Sequence, residues 1–242
     1  MREKKFQAVI ISDLHLKEEA PGITQLFENF LNQIAQHAQE LIILGDFFEF
    51  WIGDDAMSIF QKYIAHLLAD LNKTYQTKIF IMPGNRDLLL GENFCKQAHA
   101  TLLPEIILRE FLNQKVLLCH GDELCTQDLS YQEYRKQVHK PWVQKLFLLL
   151  PIFIRQKIAQ KIRKSSRDNF KKYSVMVDVS PEAVREMALK YKAEILIHGH
   201  THQKVYQAEP PLTYRVVNSD WQADRGSFIQ IDNQGIYLKD FP

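Results

Sequence analysis

Cysteine is scarce in this 242-residue chain: Cys95, Cys119 and Cys125 are the only three, and no two form a CxxC pair. Three such residues make no disulfide framework, which points to a reducing, cytoplasmic setting. Long apolar runs are missing as well. No stretch approaches the ~20 residues needed to cross a bilayer. The opening "MREKKFQAVIISD" has basic residues but only a short apolar run, and it reads as a buried strand rather than a signal peptide. Internal repeats and low-complexity tracts are also absent, and helical and strand patterns alternate, which favours a globular, enzyme-like class over a fibrous or disordered one. What is present, 46% hydrophobic residues, can bury one substantial core, as a single domain or a domain carrying an insertion.

Net charge is small too, at +1, but it conceals an asymmetry. Between Arg135 and Lys172 stand twelve Lys/Arg and one acid, Asp168, leaving eighteen bases and twenty-eight acids elsewhere. A module near +11 is thus set into a body near −10. Pro141 and Pro151 punctuate the basic module, and Ile154, Ile158 and Ile162 recur at helical spacing with Lys157, Lys161 and Lys164 on other faces. The reading is an inserted helical cap over residues 129–173, with the core formed by 1–128 plus 174–242.

In the core, short apolar runs predict buried strands at Ala8 to Ile11, Leu41 to Leu44, Ile79 to Met82, Val116 to Cys119 and Ile195 to Ile197. Helical patterns run from about Ile23 to Gln39 and Ala56 to Asn72. A third opens with Ser180 as cap and Pro181 at the first helical position. After residue 203 alternation takes over, with an Asn233-Gln234-Gly235 turn joining the last two segments into a hairpin.

Each predicted strand leads straight into residues able to bind metal: "SDLH", "LGDF", "PGNRD", "CHGDE" and "HGHTH". Strand ends are where α/β proteins build their sites. Five of the nine histidines are here; His37, His66, His99 and His139 read as surface or packing residues. In "IHGHTHQ" three histidines alternate. In extended chain alternate side chains sit about 7 Å apart, so one ion cannot take all three.

The ordered set D-x-H, GD, GN, H and GHxH resembles the calcineurin-like metallophosphoesterase family. That resemblance implies a four-layer α-β-β-α fold of α/β class and a dinuclear site. It implies that Asp13, His15 and His202 hold one ion and that Asn85, His120 and His200 hold the other, with Asp46 bridging; Gly199 is expected to let the backbone turn, and His198, with no ligand role in the motif, to pack or to support a ligand from behind. Four imidazoles disfavour magnesium, while the mixed donor set suits manganese or iron(II), with zinc also able to fit; the resemblance favours Mn2+. Two such ions less two carboxylate charges leave about +2, which attracts an anion.

Where the family commonly has GNH, this chain has "GNR". Arg86 cannot release a proton but can grip phosphoryl oxygens, which favours a diphosphate bond, whose leaving phosphate needs no proton donor. "GDFFEFWIGDD", "HGDELCTQD" and the cap extend the likeness to the UDP-2,3-diacylglucosamine hydrolases of lipid A biosynthesis within that family. The likeness implies water attack on the α-phosphorus, UMP and the diacylated glucosamine 1-phosphate as products, and peripheral association with the cytoplasmic face of the inner membrane. By the same resemblance Asp46, Asn85 and Arg86 are catalytic, while Asn85, Arg86, Asp128, Ser165, Asn169, Lys172 and His200 contact substrate, with Arg167 or Lys171 as alternatives to Lys172. Trp51 and Asp54 are expected to support their loop, and Asp87 to orient a ligand. The cap suits acyl chains and an anionic lipid surface. It is poor in the stacking aromatics of a nucleic-acid groove, and no protein partner is inferred. Rival readings are another dimetal nucleotide-sugar or dinucleotide pyrophosphatase or phosphodiesterase, and a membrane- or protein-binding scaffold with a vestigial metal site.

Overall fold

The computed structural model describes residues 4–173 and 178–242, without the side chains of 165–173. In chain order come β1 (Phe6–Ile11), α1 (Pro21–Gln33), β2 (Ala38–Leu44), α2 (Ile59–Tyr75), β3 (Lys78–Met82), α3 (Glu92–Gln97), β4 (Ala100–Leu102), β5 (Ile106–Phe111) and β6 (Gln114–Cys119). Three consecutive helices follow: α4 (Leu129–Val138), α5 (Pro141–Leu149) and α6 (Ile152–Tyr173). The chain then returns through α7 (Pro181–Tyr191), β7 (Ile195–His198), β8 (Val205–Glu209), β9 (Leu212–Val217), β10 (Gly226–Ile231) and β11 (Ile236–Phe241).

Strand alternation creates the layers. In β1, Val9 and Ile11 join one apolar cluster while Ala8 and Ile10 join another. The first cluster packs α1 and α2, through Phe27, Phe30, Ile64 and Leu68, against the sheet of order β11-β10-β1-β2-β3-β4. The second lies between that sheet and the sheet of order β5-β6-β7-β9-β8, where Ile10, Ile42 and Met82 meet Val116, Ile197 and Val216. A third sets Leu117 and Leu196 against Val184 and Ala188 of α7. The result is a helix–sheet–sheet–helix sandwich. β1, β2 and β3 run parallel, as do β6, β7 and β9, so within each sheet the carboxyl ends of the site-bearing strands share an edge.

Several predicted boundaries move. The helix expected to reach Gln39 stops at Gln33, because Ala38 to Leu44 is already paired in the sheet. The helix expected from Ala56 starts at Ile59, where Ser58 and Gln61 cap each other reciprocally. Ser180 caps α7 as expected, accepting from the Ala183 amide at 3.3 Å. The alternating tail divides: β8 and β9 close one sheet and the β10–β11 hairpin closes the other. On α6 the isoleucine row is not the seated face. Ile154 and Ile158 are half-buried, Ile162 is exposed, and among the described side chains of this helix the buried one is Arg155.

Candidate metal centre

The loops after β1, β2, β3, β6 and β7 converge. Backbone pairing continues past the strands: the Asp13 amide donates to Gly45 O at 3.2 Å, the His15 amide to Asp46 O at 2.9 Å, and the Gly199 amide to His120 O at 2.9 Å. Asp13, His15, Asp46, His200 and His202 all stand at positive φ, between 50° and 65°. Left-handed backbone costs about 1–3 kcal/mol at each such residue. That strain persists because the loops bend sharply to aim their side chains inward. His200 and His202 therefore do not stand in extended chain, as the alternate spacing assumed; β7 ends at His198.

The donors meet in two groups. Ligand atoms of Asp13, His15 and His202 lie within 4.8 Å of one another, and so do those of Asp13, Asp46 and His120. Asn85 Oδ1 lies 2.9 Å from His120 Nε2 and 3.0 Å from His200 Nδ1. Asp13 is common to both groups, and Asp46 lies 3.5 Å from His120 Nε2 and 3.9 Å from His15 Nδ1. His120 Nδ1 donates to Leu44 O at 2.8 Å, which leaves Nε2 free for a cation. The donor set fits divalent metal: oxygen and imidazole donors are clustered and largely buried, with ligand atoms within 4.8 Å of one another in each group.

Burial dominates the electrostatics. It pushes His15 and His200 down to about 3, so both are neutral and able to ligate. Burial also pushes Asp46 up to about 7, against the pull of His120 and Arg86. His120 goes the other way, to about 9: burial opposes its charge, but Asp46, Asp13 and Asp122 together outweigh it. For Asp13, burial is likewise overcome, by the hydrogen bond from His202 and the nearby imidazoles, and its carboxyl lies below the usual range.

Supporting residues have definite places. Asp87 is buried and accepts four amides, from Gly84 at 2.7 Å, Phe47 at 2.8 Å, Phe48 at 3.1 Å and Asp46 at 3.2 Å, so it shapes the loop that carries Asp46. Trp51 Nε1 donates to Asp54 at 2.9 Å, and Asp54 accepts the Gly91, Asn93 and Phe94 amides at the start of α3. The chain turns directly after Gly199, where the Thr201 amide donates to Gly199 O at 2.8 Å, and an added Cβ at Gly199 would meet Asp13 Oδ2 at 2.2 Å. His198 is buried away from the donors, with Nδ1 2.9 Å from Gly199 O. Arg86 lies against Asp46, with Nε 3.6 Å from Oδ2. Asp128 caps α4, accepting from the Tyr131 amide at 2.9 Å and the Ser130 hydroxyl at 2.8 Å. The side chains of Ser165, Arg167, Asn169, Lys171 and Lys172 lie outside the described residues.

A model of the family described as "Calcineurin-like phosphoesterase" matches residues 6–204, from β1 through the last of the five loops. The chain belongs to the calcineurin-like phosphoesterase family. Within the family it is 41% identical to UDP-2,3-diacylglucosamine hydrolase of Haemophilus influenzae (strain PittGG), over 93% of this chain and 94% of that one. It is 44% identical to the protein of the same name from Photorhabdus laumondii, over 97% of this chain and 98% of the relative. Among solved structures an archaeal phosphodiesterase aligns over 96% of this chain and 97% of its own, at 14% identity and a TM-score of 0.46. Family membership implies divalent metal at the cluster.

Three groups near the site escaped the motif reading. Asp122, two residues past His120, is buried and accepts from Tyr131 Oη at 2.5 Å and Arg135 Nε at 2.8 Å; the Tyr131 ring stacks on His200 at 6.0 Å. Arg155 pairs with Asp55 and donates to Ile52 O at 2.6 Å. Arg163 pairs with Glu49, beside His15. An acid after "HG" and lone arginines in a basic segment give no local signal of these pairings.

Proposed function

We propose that this chain hydrolyses the diphosphate of UDP-2,3-diacylglucosamine by attack of water on the α-phosphorus, releasing UMP and 2,3-diacylglucosamine 1-phosphate in lipid A biosynthesis. The observation that carries this reading is the identity of 41–44%, along 93–97% of the chain, to relatives named UDP-2,3-diacylglucosamine hydrolase. In the proposed site Asp13, His15 and His202 would hold one Mn2+ and Asn85, His120 and His200 the other, with Asp46 assigned to both. When bound, the pair supplies Lewis acidity toward phosphoryl oxygens and makes water nucleophilic at neutral pH.

The chain's own groups do the rest. Arg86 has a buried Nη1 without a hydrogen-bond partner among the described residues, which supports a role in gripping the diphosphate and stabilising charge on its oxygens. It gives up no proton, and none is needed for a leaving phosphate with a second pKa near ~6. Asn85 and His200 orient the same phosphate. Asp128 and, along α6, Ser165, Asn169 and Lys172 are assigned to the sugar nucleotide. Exposed Trp142, Leu146, Leu149 and Phe153, with exposed Lys145, Lys157, Lys161 and Lys164, suit acyl chains and anionic lipid at the cytoplasmic face of the inner membrane. Among the described residues no helix is long and apolar enough to cross a membrane.

The test is turnover with Mn2+ on UDP-2,3-diacylglucosamine, UDP-glucose and bis(p-nitrophenyl) phosphate. The acylated sugar nucleotide is expected to lead UDP-glucose by at least ~100-fold in kcat/KM, since remote binding energy is used in the transition state. Equal rates on the two sugar nucleotides would remove the lipid substrate.

A further inference from the structure

The two ring nitrogens of His15 have different surroundings. Its Nε2 faces His202 Nε2 at 3.4 Å, and His202 Nε2 lies 3.5 Å from Asp13 Oδ1, so these three donors converge. Nδ1 is buried and has no hydrogen-bond partner among the described residues. An imidazole that ligates through one nitrogen carries its proton on the other, and an acceptor for that N–H fixes the ring and its tautomer. Two carboxylates are near: Asp46 Oδ2 at 3.9 Å and Glu49 Oε2 at 4.0 Å. Asp46 is already engaged, since Oδ1 accepts the Arg86 amide at 2.8 Å and Oδ2 lies 3.6 Å from Arg86 Nε. Glu49 is not among the candidate ligands. Its other oxygen, Oε1, accepts from Arg163, a residue of α6.

The geometry points to Glu49 as a positioning residue for the metal centre. It accepts a hydrogen bond from His15 Nδ1–H when Nε2 faces a cation, and Arg163 holds the carboxylate in place. The seat of α6 on the core thereby bears on one half of the metal site. This inference rests on the metal-site reading.

Metal-free protein is titrated with Mn2+, with free ion read by electron paramagnetic resonance and folding checked by the melting temperature. Wild type is expected to take two ions. E49A is expected to lose affinity for one ion by ~10–100-fold and to keep the other, with the pattern of H202A rather than H200A. E49Q retains a carbonyl acceptor and is expected to stay within about threefold of wild type; R163M falls between the two. Should E49A fail to fold, E49Q and R163M decide alone, and wild-type affinity in R163M overturns the tie to α6. Unchanged binding by E49A, equal weakening of both ions, or an E49Q no better than E49A overturns the assignment. A wild type that binds no pair of Mn2+ ions removes the metal-site reading itself, and this inference with it.

Discussion

At the scale of single residues, the site combines groups whose charges burial suppresses with groups that neighbours keep charged. His15 and His200, near 3, are ready to ligate at any ordinary pH. His120, near 9, must shed a proton first, and His202 is also raised, burial being outweighed by its hydrogen bond to Asp13. A group with a raised pKa stays protonated below that value, so cation uptake at pH 7 releases protons and tightens as pH rises toward 9. Titration calorimetry of Mn2+ at pH 7 in buffers of different ionisation enthalpy is expected to show that release; heats independent of buffer would contradict it. Arg86 gives a second prediction. R86H is expected to lower diphosphate turnover by ~100-fold or more, because a bidentate cation is replaced by a smaller, mostly neutral ring. Turnover unchanged in R86H would show that the guanidinium does not grip the phosphates.

Elements place these residues through loops, and the loops are held by buried acceptors. Asp87 ties the loop after β2 to the loop after β3, taking three amides from the first and the Gly84 amide from the second. D87A leaves those donors in a dry interior, and each unmet buried donor costs about 1–3 kcal/mol. A loss of at least ~3 kcal/mol is expected in chemical denaturation, with metal affinity falling as well; a loss under ~1 kcal/mol would mean that water replaces the carboxylate. The helix α6 meets the core through Arg155, whose guanidinium is buried while its partner Asp55 is largely exposed. D55N leaves Arg155 with the Ile52 carbonyl and a neutral amide. Limited proteolysis between α4 and α6 is expected to speed up in D55N while cuts elsewhere do not change.

The whole molecule is divided by charge and by exposed apolar surface. The basic segment presents Lys157, Lys161 and Lys164 on α6, close in sequence to exposed Trp142, Leu149 and Phe153. Surface lysines near an anionic leaflet contribute about 1 kcal/mol each and weaken within a Debye length of salt. Binding to vesicles containing anionic lipid is expected to fall with ionic strength. K157Q/K161Q is expected to reduce it by about 30-fold, and purely zwitterionic vesicles to bind poorly. Co-sedimentation measures this, and affinity independent of both salt and the lysines would refute an electrostatic contribution.

Much of this was legible in the residues themselves. The identity and order of Asp13, His15, Asp46, Asn85, His120, His200 and His202, each at a strand end, is local information, because ligand chemistry belongs to a residue type and strand ends follow from short apolar runs. The basic character of 135–172 is equally local. Packing decided the remainder. The tail's alternating strands look alike in sequence, yet two hairpins close different sheets, since pairing depends on which edge is open. Gly199 reads as a turn residue, but only the fold shows that Asp13, 186 positions earlier, lies against it and leaves no room for a side chain. Tyr131 beside His200, and Arg155 and Arg163 reaching Asp55 and Glu49, join positions far apart in the chain. No local period encodes such pairs; only the folded backbone brings them within reach.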